Sequence, residues 1–151
     1  MHHIRPHHLL DLVVSSSYEE RMVNVVLPKL HAPLFFDTAI LLALSKLVNP
    51  RSYFEIGTFL GIETLNMAAN LPTDSHVYTL DLDEESLKTA KQEGHDKVVT
   101  GIHMEMQHKL AFLGSSYEGK ITSPYGDSNV FDFSPFYGRM DMIYVDGGHD
   151  L

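Results

Sequence analysis

Four short polar clusters in this 151-residue chain carry side chains that could bind or transform a small molecule. Gly57 and Gly61 follow the apolar run Tyr53 to Ile56, which itself carries Glu55. Asp81, with Asp83 two residues on, closes the run His76 to Leu80. Asp127 and Ser128 follow Lys120 to Thr122, and Asp146 and His149 follow Met140 to Val145. Glycine lets the backbone turn sharply and approach a ligand closely, and the helix expected after it presents unpaired N–H groups. Tyr53 to Gly61 therefore reads as a buried strand that stops at glycine, turns, and hands over to a helix. A carboxylate at the tip of the next strand accepts hydrogen bonds from ribose hydroxyls. Asp81 suits that role better than Asp83, because it directly follows the apolar run. It also lies near the separation of about 20 residues from the glycine turn that dinucleotide folds use. The competing reading, Asp81 as cap of the following helix, comes second because the glycine turn lies upstream.

The turn also discriminates between cofactors. A dinucleotide fingerprint, G-x-G-x-x-G, brings backbone onto a pyrophosphate. Glu55-Ile56-Gly57-Thr58-Phe59-Leu60-Gly61 lacks that triplet and places an acid in the strand. A carboxylate beside the cradle repels a pyrophosphate, but it suits the cationic amine or sulfonium of S-adenosylmethionine.

These clusters need elements to hold them. Pro33 to Val48 reads as a helix with Asp37 as a possible N-cap and Ile40, Leu41, Leu44 and Val48 at helical spacing. Ile62 to Asn70 has an apolar face of Ile62, Leu65, Ala68 and Ala69. Glu84 to Gln92 reads as a polar surface helix. Asp11 to Leu27 reads as helical from about Tyr18, stopped by Pro28. Gly94 to Gly119 has apolar residues without a clean period, and either a helix or an irregular insertion fits it. Asn129 to Arg139 reads as an aromatic-rich loop or short helical turn. Strands alternating with helices argue for an α/β fold: a mostly parallel sheet, helices on both faces, N-terminal helices in front. Ligands bind beyond the carboxyl ends of such strands, and there the four clusters emerge together. The organisation expected is a helical segment over 1–50 and a cofactor-binding domain over 51–151.

Composition sets the limits. The chain is 44% hydrophobic and 21% charged, enough for a real core. Eleven basic and twenty acidic residues give a net charge of −9, which disfavours nucleic acid and anionic membrane as partners. Absent cysteine removes disulfide and thiol chemistry and fits a cytoplasmic protein. No signal peptide is visible, and the longest apolar stretch, Ala39 to Val48, is too short to span a bilayer. His2, His3, His7 and His8 read as a lightly ordered terminus rather than a metal site. His103 and His108, near Met104 and Met106, read as core and surface filling.

Taken in order, the clusters resemble the motifs of class I S-adenosylmethionine-dependent methyltransferases. Glu55 to Gly61 resembles motif I, E-x-G-x-x-x-G. Val77-Tyr78-Thr79-Leu80-Asp81 resembles motif II, Gly126-Asp127-Ser128 the motif beside the adenine, and Met140 to His149 the D-x-I-x-x-D-G-x-H strand of catechol O-methyltransferase-like and methyltransferase-24-like groups. The resemblance implies a Rossmann-like, doubly wound sheet and methyl transfer from S-adenosylmethionine to a small-molecule acceptor, at an oxygen. It implies that Glu55, Gly57, Phe59 and Gly61 surround the methionine part of the cofactor, that Asp81 holds the ribose, and that Asp127 and Ser128 contact the adenine. It places Asp146 near the reacting methyl, and also on Mg²⁺ in metal-dependent members. His149 follows as a base or positioning group.

Two features depart from the pattern. Many relatives carry serine where this chain has Glu63; Thr64 is the residue expected to take that role, with Glu63 turned to solvent. The family's sheet has seven strands, and only the first four are legible here. The expectation is a fragment, or a chain that completes its sheet with another copy, since the fourth strand leaves an apolar edge that invites self-association. An NAD-type oxidoreductase is disfavoured by the missing glycine triplet. A non-catalytic cofactor-binding or assembly module is the alternative.

Overall fold

A computed structural model describes residues 22–26, 36–89, 96–106 and 108–147. Helix α1 (Phe36–Val48) precedes strand β1 (Ser52–Ile56), helix α2 (Ile62–Asn70) and strand β2 (His76–Leu80). Helices α3 (Glu84–Thr89) and α4 (Asp96–Met106) lead to β3 (Ile121–Thr122), and β4 (Met142–Val145) follows a long aromatic loop. The four strands form one parallel sheet in the order β3-β2-β1-β4. β1 lies at its centre, with Tyr53 opposite Val77 on one side and opposite Met142 on the other.

Alternation along β1 assigns its side chains to two faces. On the first face Tyr53 and Val77 meet Leu41, Leu42, Met67, Ala68 and Leu71, so α1 and α2 cover it. On the second face Phe54 and Tyr78 meet the aromatic loop. Phe136 stands edge-on to both, with ring centroids 4.7 Å and 5.1 Å away, and Phe133 approaches Phe54 at 5.8 Å. Among the described residues this loop, with its 3-10 turn Ser134–Phe136, does for the second face what helices do for the first. Beside it lies an open apolar cavity of about 290 Å³ lined by Phe54, Ile56, Phe136 and Ile143.

Local chemistry sets the element ends. Asn49 takes a left-handed conformation, φ 51°, and its N–H returns to the Ser45 carbonyl, which stops α1 one residue before Pro50. Lys120 reaches the C-terminal end of α2 and donates to the carbonyls of Ala68, Leu71 and Pro72 at 3.0, 3.3 and 2.8 Å. A cation there complements the helix dipole. Asp83 caps α3 by accepting from the Ser86 N–H at 2.6 Å.

Two expectations change. Asp37 is not the N-cap of α1; it sits inside the first helical turn, where its charge favours the dipole. The helix expected from Tyr18 to Leu27 is absent from residues 22–26, its described part, which have no regular structure. Their backbone groups bond elsewhere: Asn24 exchanges two hydrogen bonds with the Asn70 amide (2.8 and 2.6 Å), and Val26 two with the Asn66 amide (2.8 and 3.1 Å). Asparagines four apart on one helix face match carbonyl and N–H groups two apart on an extended chain. Gly94 to Gly119, left open by its sequence, holds α4 and then a series of turns. His2, His3, His7, His8 and the rest of the first 21 residues lie outside the described residues, as does His149. No described helix is long and apolar enough to cross a membrane.

Candidate functional site

The carboxyl ends of the strands are tied into one edge. The Gly57 N–H donates to the Leu80 carbonyl at 2.8 Å, the Asp146 N–H to the Ile56 carbonyl at 2.8 Å, and the Gly126 N–H to the Asp81 carbonyl at 2.8 Å. The strand tips that carry Gly57, Asp81 and Asp146 are thereby joined, with Gly126, the residue before Asp127, bonded at the Asp81 tip.

The glycine turn forms as its sequence requires. Gly57, Phe59 and Gly61 have φ of 104°, 47° and 69°, so three of five residues are left-handed. Phe59 is the one that pays a steric penalty for this. Two contacts hold it there: the Gly61 N–H bonds back to Thr58 at 2.7 Å, and the Phe59 N–H donates to Oδ2 of Asp81 at 2.7 Å. At Gly57 a β-carbon would stand 2.5 Å from the Asp146 carbonyl oxygen, so only glycine lets the β4 end pass this close. At Gly61 it would stand 2.8 Å from the Phe112 ring.

Glu55 faces away from the aromatic loop, into the space between β1 and α2, and is 1% exposed. Its Oε2 accepts from the hydroxyls of Thr64 and, at 2.7 Å, Thr79, while its Oε1 has no hydrogen-bond partner among the described residues. Burial pushes this carboxyl up to about 8, opposed by the two threonine bonds and aided by the charges of Glu63 and Asp146. The buried orphan oxygen and its acidic neighbours suit a cation, and this is the observation by which the residues present fit a sulfonium- or ammonium-bearing cofactor.

Thr64 is completely buried and its hydroxyl serves Glu55, so it reaches any ligand through that carboxylate. Glu63 is not turned simply to solvent; Thr38 of α1 donates to its Oε1 at 3.0 Å. The Tyr144 phenol, one strand over, is pushed up to about 12 by its burial and then by the Asp146 charge.

Asp81 does not cap α3, a task Asp83 performs. Its Oδ1 accepts from the Leu82 N–H at 2.8 Å and its Oδ2 from Phe59, leaving lone pairs for further donors. His103 of α4 stands over it, with Nε2 at 3.1 Å from Oδ2, and the Phe59 ring meets the imidazole edge-on at 5.6 Å. Sequence reasoning took His103 for filling; the contact arises from a helix whose position no local pattern announced. Asp127 opens a turn, its Oδ1 accepting from the Asn129 N–H and side-chain amide at 2.8 and 2.9 Å, and Ser128 beside it is exposed. Asp146 is exposed at the tip of β4. Among the described residues no three histidine or acidic side chains converge on a metal site.

A family model described as O-methyltransferase matches residues 16–133. A provisionally named caffeoyl-CoA O-methyltransferase of Arabidopsis thaliana is 33% identical over 109 residues, covering 70% of this chain and 47% of that protein. An O-methyltransferase from Bacillus cereus, solved in complex with SAH, superposes with a TM-score of 0.50 at 17% identity over 93% of this chain and 53% of its own. An O-methyltransferase from Streptomyces achromogenes, solved with SAM, gives a TM-score of 0.48 at 21% identity over 77% of this chain and 45% of its own. The chain thus spans about half the length of the relatives it matches.

Proposed function

Since the chain belongs to the O-methyltransferase family, we propose that it binds S-adenosylmethionine at the carboxyl edge of its sheet and serves methyl transfer to an oxygen of a small-molecule acceptor. One observation carries this reading: a buried carboxyl with an oxygen unpartnered among the described residues, Glu55, lies on the strand that runs into a left-handed glycine turn, and that turn is bonded through Phe59 to the strand-tip acid Asp81. When bound, S-adenosylmethionine supplies an electrophilic methyl on a sulfonium.

The roles proposed for the chain's own residues follow from charge and placement. Glu55, protonated in the free chain below about pH 8, gives the cationic end a negative field once that charge draws its proton off, with Thr64 and Thr79 fixing its orientation. Gly57, Phe59 and Gly61 shape the turn against which the methionine portion lies. Asp81 accepts from the ribose hydroxyls, and Asp127 and Ser128 border the adenine. Asp146, at the tip of the strand nearest the reacting end, orients the acceptor hydroxyl or takes its proton, and His149 is proposed to share that task. Rate then comes largely from orientation, with the acceptor oxygen held about 3 Å from the methyl carbon. Mg²⁺ at Asp146 requires further ligands that the described residues do not bring, so no step is assigned to a metal. A cytoplasmic setting and association with a second copy complete the proposal; the first rests on the absence of cysteine.

Parallel calorimetric titrations with S-adenosylmethionine and NAD test the choice of cofactor. Binding of the sulfonium compound with no heat from NAD is the expected result. The reverse preference would overturn the reading.

A further inference from the structure

We propose that His103 is the second half of the ribose grip: its imidazole and the Asp81 carboxylate together hold one ribose hydroxyl. The inference rests on the cofactor reading above and assigns a binding residue that the family motifs in this chain do not include. The His103 side chain is 10% exposed and Asp81 11%, yet Nε2 of His103 has no hydrogen-bond partner among the described residues. It lies 3.1 Å from Oδ2 of Asp81 without the alignment a ring N–H bond needs.

A purely structural histidine would turn its N–H onto the carboxylate. Here Oδ2 accepts from the Phe59 N–H at 2.7 Å and keeps a lone pair for a second donor, and the Phe59 ring stands edge-on to the imidazole. A buried polar atom left without a partner marks the place of a missing one. Nε2 is closed to solvent in the free chain, so a hydroxyl oxygen that settles about 2.8 Å from both atoms, closing a triangle on their 3.1 Å separation, does so with a shift of the imidazole. The hydroxyl donates its proton to Asp81 and accepts from the Nε2–H tautomer of His103. The neighbouring hydroxyl of the same ribose then reaches Oδ1, whose one bond in the structure comes from Leu82. A site built in this way to bond a hydroxyl rejects a ligand that lacks it, because its buried groups are then left unpaired.

The test measures binding of S-adenosylhomocysteine and its 2′-deoxy and 3′-deoxy analogues to the 151-residue chain and to His103→Leu, His103→Gln and Asp81→Ala. The wild type is expected to bind one deoxy analogue about tenfold or more weakly than the parent. His103→Leu should lose a similar factor for the parent but almost nothing for that analogue. His103→Gln, which keeps a terminal N–H, should recover part of the loss. Equal affinity of the wild type for all three ligands would overturn the proposal without recourse to any variant. So would unchanged or tighter parent binding by His103→Leu, or a uniform loss across the three ligands. If parent binding depends on Asp81 but not on His103, this inference falls and the cofactor site stands. If a folded wild type does not bind the parent, both fall.

Discussion

Glu55 sets up a conflict between stability and binding at a single carboxyl. Its folded value of about 8 lies above its ordinary value near 4.5, so the native state holds a proton that the unfolded chain releases between them. Its contribution to stability is therefore complete below about 4.5 and is lost as pH rises through about 8. Glu55→Gln keeps an acceptor for Thr64 and Thr79 and removes the ionisation. Thermal melts should show the variant equal to wild type near pH 5 and more stable at pH 8.5, by on the order of a few kcal/mol. The same variant should bind S-adenosylhomocysteine about tenfold or more weakly, because the amide cannot give up a proton and become charged beside the ligand's ammonium group. A variant that gained stability and kept its affinity would separate Glu55 from the ligand.

The glycine turn and α2 are the elements on which the site depends. Gly57→Ala puts a carbon 2.5 Å from the Asp146 carbonyl in a left-handed backbone. Urea unfolding should show a loss of about 2–4 kcal/mol, from overpacking and strain together. Asn66→Ala removes the amide that takes both backbone groups of Val26. It should cost about 1–3 kcal/mol and raise amide exchange at Val26 while leaving that of β1 unchanged. These two elements show where the sequence is legible and where it is not. The strands and the turn are readable because each apolar run ends in glycine or aspartate, a local signal. Asp81 stands at the strand tip for that reason, and the capping role that the sequence offers to Asp81 as a competing reading falls to Asp83. Residues 22–26 look helical because their apolar run has no breaker; asparagines 40 and 46 positions later take up their backbone groups, which no local pattern reveals. The contact of His103 with Asp81 is of the same kind, since it depends on how α4 crosses the sheet edge.

At the scale of the whole molecule, the sheet is covered on one face by α1 and α2 and on the other by an aromatic loop, and among the described residues no strand lies on the far side of β4. Ile143 and Val145 are 61% and 60% exposed along that strand, next to the apolar cavity. β4 pairs only with β1 among the described strands, so its other edge offers unpaired backbone groups to a second chain. Sedimentation should show reversible, concentration-dependent self-association, reduced by an Ile143→Lys, Val145→Lys double variant; a monomer at every concentration would remove that proposal. The central claim is that the strand-tip edge around Asp81 is a site for the S-adenosyl group, and one titration addresses it most directly. S-adenosylhomocysteine is added to the folded 151-residue chain and to Asp81→Ala, with heat as the readout. The account predicts saturable binding by the wild type and a loss of about tenfold or more in the variant. No binding by a folded wild type, or equal binding by both proteins, would contradict it.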